Sequence, residues 1–120
     1  MQNCGLVILH FAFLILHCEK EESLYLVISY WELLPGHEAE ADRVVPVVHG
    51  LLRRQPGVLL AEAFRCDGKF ITVHGYENET MYQRVLDNPN SGFNQALLDF
   101  RIQEKTRWLH SERGETLPHV

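Results

Sequence analysis

The sequence predicts a single α+β domain: a four-stranded antiparallel sheet with two helices on one of its faces. Three observations lead there. Two β-rich runs, 58–66 and 69–77, meet at Asp67-Gly68, the strongest short hairpin signal. A β-branched and aromatic run at 24–34 and a second run at 106–114 bracket the domain. Between the strands lie two stretches, 37–55 and 78–105, with apolar residues at helical spacing. The order strand, helix, strand, strand, helix, strand is the ferredoxin-like βαββαβ pattern.

Each element has its own local reason. "LYLVISYWELL" at 24–34 is strand-forming and is stopped by Pro35-Gly36. The following helix places apolar residues at 41, 44, 45, 48 and 52. Its acids Glu38, Glu40 and Asp42 sit at the N-terminal end and Arg53 and Arg54 at the C-terminal end, both in accord with the helix dipole. Pro46 predicts a kink or break, and Pro56-Gly57 ends the segment. Asn78 caps the next helix, whose apolar face is Met81, Tyr82, Val85 and Leu86. Pro89 interrupts, and helical spacing resumes at Phe93, Ala96, Leu97 and Phe100. The strand at 106–114 precedes a polar tail, 115–120.

Composition excludes several classes. The chain has 120 residues, 46% hydrophobic and 22% charged, with net charge −5. No basic cluster exceeds Arg53-Arg54, which excludes a nucleic-acid surface. Three cysteines without a CxxC spacing argue against a disulfide framework or zinc site and for a reducing, cytoplasmic setting. Seven histidines are scattered singly, so no metal is expected. The apolar run 5–16 is shorter than the ~20 residues of a membrane span, and it lacks a basic leader and a cleavage site. Residues 1–22 are therefore read as an extension before a domain at 23–114, with no membrane partner.

With both helices on one face, the other face of the sheet is bare. Leu26, Ile28, Tyr30, Phe64 and Ile71 point to it, which predicts a homodimer joined through that face. A two-residue turn at Asp67-Gly68 sets Cys66 opposite Lys69, Ala63 opposite Thr72, Ala61 opposite His74 and Leu59 opposite Tyr76. Thr72, His74 and Tyr76 then share a face with Leu59, Ala61 and Ala63. Small residues beside polar ones leave either a small-molecule pocket or a wet sheet margin.

"YWELLPGHEAEADRV" and "LLRRQPGVLLAEAFRCDGKFITVHGYENETMYQRVLDNP" resemble the antibiotic biosynthesis monooxygenase domain. The shared features are the Pro-Gly turn after the first strand, the Pro-Gly before the second, and the aromatic-acid pair ending the third. The resemblance covers about residues 24–113. It implies a dimeric α/β barrel with a pocket between helices and sheet. It also implies cofactor-independent oxygenation, haem degradation or isomerisation. Tyr76 stands where a tryptophan is usual, and Ser29 where haem-degrading members carry asparagine. Leu97 and Val85 stand where other members carry histidine, which speaks against haem degradation.

No Gly-rich phosphate loop, nucleophile elbow or metal cluster is present, so no cofactor is implied. An oxygenase of this kind needs a base for a phenolic or quinol substrate and donors for the resulting oxyanion. His74 is the candidate base and Tyr76 its catalytic neighbour, with Ser29 and Thr72 as further donors and Trp31 as a stacking surface. Ala61 gives the substrate room, and Trp108 and His110 on the last strand are rivals for the pocket. His49 reads as an ordinary helical histidine, and Glu62 as an inter-subunit partner. Three functions follow: a cofactor-free monooxygenase of a small aromatic, a non-oxidative isomerase or cyclase using the same pocket, or a non-catalytic ligand-binding dimer.

Overall fold

A computed structural model describes residues 23–118. The expectations for residues 1–22 lie outside this range. Four strands, β1 (Tyr25–Leu33), β2 (Val58–Cys66), β3 (Lys69–Tyr76) and β4 (Thr106–Glu115), form one sheet in the order β2-β3-β1-β4, every neighbouring pair antiparallel. Helix α1 (Glu38–Arg53) connects β1 to β2, while α2 (Glu79–Leu86), α3 (Gly92–Asp99) and the single turn α4 (Ile102–Lys105) connect β3 to β4. This is the expected α+β, ferredoxin-like βαββαβ order. β4 runs one residue beyond the predicted end, and Thr116 still bonds Leu24 through both its amide and its hydroxyl.

The hairpin turn forms as its sequence dictates. Asp67 and Gly68 both take positive φ, 52° and 77°, which a tight hairpin requires at its two central positions. From Cys66↔Lys69 to Leu60↔Gly75 the register is the expected one. At its far end it differs: Val58, not Leu59, lies opposite Tyr76. A bulge between Val58 and Leu60 absorbs the extra residue and turns Leu59 outward, 38% exposed.

The segment α1 is one continuous helix through Pro46, where a kink or break was expected. Pro46 is exposed, so the backbone bond it cannot donate is lost on the solvent side. Asn78 and Ser91 cap α2 and α3 by accepting from the amides of Met81 and Asn94, each at 3.0 Å. The second helical stretch is cut at Arg101, whose φ of 54° is left-handed and ends α3 before α4 begins. Leu86, expected on the apolar face of α2, is 51% exposed.

The core lies between sheet and helices. Tyr25, Val27, Ala61 and Tyr76 from the strands meet Val44, Val48 and Leu52 of α1, Tyr82 and Val85 of α2, and Phe93 and Ala96 of α3. On the opposite face Leu26, Ile28, Leu60, Phe64 and Val73 form a second apolar cluster, and the described helices all lie on the other side of the sheet. Cys66 is disulfide-bonded, which corrects the reading of the cysteines as unpaired and removes their argument for a reducing compartment. Among the described residues no helix is long and apolar enough to cross a membrane. No group of three or more potential metal-binding side chains occurs among them.

Candidate active site

Strand parity and one helix build the site. On β1, Tyr25, Val27, Ser29 and Trp31 face the helices, and on β3 so do Thr72, His74 and Tyr76. Helix α1 lies across these strands and presents Val45, Val48 and His49 to them. Near the Trp31 end of the sheet the layers do not close completely. They leave a cavity of about 120 Å³ lined by Trp31, Thr72, His74, His49, Phe70, Phe93 and apolar neighbours including Leu97 and Ile102. Its volume approaches that of a cavity which holds one benzene ring, about 150 Å³.

Two imidazoles meet at the wall of this cavity. His49 Nε2 and His74 Nε2 are 3.0 Å apart, with the rings edge to face. Among the described residues neither Nδ1 has a hydrogen-bond partner. Burial, and then the charge of Arg53, holds His49 well below the ordinary imidazole range. Burial, and then His49 itself, does the same for His74. Both rings are therefore neutral at pH 7, and a short contact between neutral rings requires one shared N–H. One ring carries its proton on Nε2 and donates; the other carries it on Nδ1 and accepts.

Thr72 adds a second polar group. Its buried hydroxyl accepts from Trp31 Nε1–H at 3.2 Å, which leaves its own O–H free to donate. The Phe93 ring stands edgewise to His74 at 6.5 Å. Lys105, outside the cavity lining, bonds Glu40 and the Phe100 carbonyl, both at 2.6 Å, while its own carbonyl accepts from Leu34. A surface groove of about 460 Å³ shares Trp31, Leu97 and Ile102 with the cavity, so these side chains form the partition between inside and outside.

The other candidate residues lie elsewhere. Tyr76 is 2% exposed and packs on Tyr82 in the core, where burial and then Tyr82 push its hydroxyl far above the usual phenol range. Ala61 is fully buried beneath the same core. Ser29 bonds Ser111 at 2.7 Å, outside the cavity lining. His110 stacks on Tyr30 at 4.3 Å on the opposite face of the sheet, and Trp108 is 57% exposed with its N–H on Ser111. Glu62 pairs with Arg53 of its own chain at 3.5 Å. His49 is the residue that sequence reasoning passed over. The signal was its place on the stripe 41, 45, 48, 52, four residues after Val45 and three before Leu52.

This four-stranded antiparallel sheet with helices on one face is a fold shared with solved structures of antibiotic biosynthesis monooxygenases. No family model matches the sequence and no curated protein does. Solved structures do match. SnoaB, a cofactor-independent oxygenase from Streptomyces nogalater, is 20% identical over 82% of this chain and 95% of its own, with a TM-score of 0.55. A protein of Chloroflexus aurantiacus J-10-fl assigned to the antibiotic biosynthesis monooxygenases is 13% identical over 81% of this chain and 96% of its own, at TM-score 0.62. MupZ from Pseudomonas fluorescens is 14% identical over 75% and 69%, at TM-score 0.62.

Proposed function

We propose that the protein is a cofactor-independent monooxygenase of a small phenolic or quinol substrate, with His74 handling the proton of the substrate hydroxyl. The observation that carries this reading is the partly open apolar cavity with a histidine pair and a free hydroxyl donor at its wall. Its volume limits the enclosed part of the substrate to about one aromatic ring. Any further ring would lie in the adjoining groove.

The chemistry asks little else of the protein. Removing the hydroxyl proton makes the ring electron-rich enough to reduce dioxygen. For a simple phenol, the ring C–H para to the hydroxyl becomes C=O and the hydroxyl becomes the second C=O. One oxygen atom enters the ring and the other leaves as water, and the substrate supplies all the electrons. His74 takes the proton, and the Thr72 hydroxyl donates to the resulting oxyanion. Apolar walls exclude water and strengthen both interactions.

Oxygen uptake measured with a panel of single-ring hydroquinones and phenols tests the reading. Consumption of one O₂ per quinone formed, with one labelled oxygen from ¹⁸O₂ in the product and no hydrogen peroxide released, supports it. Conversion without oxygen uptake would instead indicate an isomerase or cyclase, and binding without conversion a ligand-binding protein.

A further inference from the structure

The pairing of two histidines has a chemical consequence that builds on the reading of His74 as the proton-handling group. We propose that His49 and His74 form a relay: His74 takes the substrate proton on Nδ1 while passing its own Nε2 proton to His49.

The geometry fixes the atoms. His74 Nε2 is already engaged by His49 at 3.0 Å, so Nδ1 is the nitrogen left to meet a ligand. A nitrogen that accepts a proton must be bare. The resting proton of His74 is therefore on Nε2, donated to a bare His49 Nε2, and His49 carries its own proton on Nδ1. In the transfer the substrate O–H breaks and His74 Nδ1–H forms, while His74 Nε2–H breaks and His49 Nε2–H forms. The products are a phenolate, a neutral His74 whose N–H now points at the oxyanion, and a His49 imidazolium. No electrons change hands in this step. One residue thus serves first as base and then as oxyanion donor.

The surroundings explain why the pair rests uncharged and charges only with a ligand. Burial disfavours an imidazolium on either ring. No carboxylate bonds either ring among the described residues. His74 faces Val27 and Ala61 across the strands and Phe93 from α3. The charged group near His49 is Arg53, which is itself tied to Glu62 and to the Ala61 carbonyl. A phenolate in the cavity supplies the missing counter-charge, so ligand ionisation and protonation of the pair occur together. A histidine-carboxylate pair would instead hold a buried charge at all times.

The probe for this is 4-nitrophenol, whose anion is yellow and whose neutral form is not, added at a pH where the free compound is neutral. The wild type should bind it and turn yellow. His49→Gln keeps an oxygen that accepts from His74 Nε2–H but cannot take up a proton. This variant should bind the probe with the bound ionised fraction lower by at least about tenfold, one pKa unit. Nitrogen NMR of the wild type without ligand should show His74 protonated on Nε2. The relay is overturned if His49→Gln ionises the probe as the wild type does, or if His74 carries its resting proton on Nδ1. Failure of the wild type to bind 4-nitrophenol overturns the cavity reading itself, and the relay with it.

Discussion

On the proposed function the two cavity histidines set activity, their burial sets acid stability, and the two can be measured apart. His74→Ala removes the proposed base and enlarges a space that is already partly open. Stability should fall by no more than ~1–2 kcal/mol, while turnover of the quinol substrate falls by about 10²–10⁴. His110→Ala is the control, because His110 stacks on Tyr30 across the sheet and should leave turnover unchanged. A loss in the control equal to that in His74→Ala would move the chemistry to the other face. The pH dependence follows from the same two rings. Both are held below their ordinary value of 6.5 in the folded protein. In the unfolded chain they take up protons as pH falls through about 6.5, while in the folded chain they stay neutral. The unfolded state then binds more protons, so the histidine contribution to stability is complete above that pH and is lost below it. Each ring adds up to ~1.4 kcal/mol per pH unit to the slope. Urea midpoints between about pH 7 and 5 should therefore fall more steeply for the wild type than for a His49→Phe, His74→Leu double variant. Equal slopes would show that the rings are charged in the folded state.

At the level of elements, the contact between the β2 entry and α2 rests on one glycine. Gly57 has φ of 82°, and a Cβ there would lie within 2.6 Å of Met81 Cβ, near the root of that side chain. Gly57→Ala should cost about 1–2 kcal/mol for the left-handed backbone, and more for displacing Met81. Gly36→Ala, at φ of 88° with open space around it, should cost the backbone share alone. Thermal melts of the two variants compare these; equal losses would mean that Met81 moves aside freely. Such features also mark where the sequence was readable. Asp67-Gly68 announced its turn because both residues favour positive φ, and the hairpin fixed the faces of Thr72 and His74 by alternation alone. The bulge that turns Leu59 outward and the break at Arg101 leave no such mark, since neither needs a glycine. The cavity was half legible for a similar reason. Strand parity placed Thr72, His74 and Trp31 on the helix side. Whether α1 would bring Val45 or His49 over His74 depends on how two layers seat against each other, which no local pattern records. Tyr76 shares His74's parity yet ends in the core, because Tyr25 and Tyr82 close around it at 2% exposure.

At the scale of the whole fold, the described residues form two apolar layers, and the described helices cover one of them. Leu26, Ile28, Leu60, Phe64 and Val73 form a continuous cluster on the open face, and Ile28 stands near its middle, opposite Val73 on β3 and Glu112 on β4. Sheet twist lets two such faces pack with interdigitating side chains about 10 Å apart, which a second copy of the chain supplies by two-fold symmetry. A homodimer is the expected state in solution. Ile28→Glu would place a carboxylate at that contact without a partner, at a cost of several kcal/mol in the dimer. It would cost little in a monomer, where the side chain reaches water. Sedimentation at micromolar concentration should therefore show a wild-type dimer and a variant shifted to monomer with its fold intact by circular dichroism. The cavity opens on the other side of the sheet, so the monomeric variant should still bind 4-nitrophenol. A monomeric wild type would overturn this prediction.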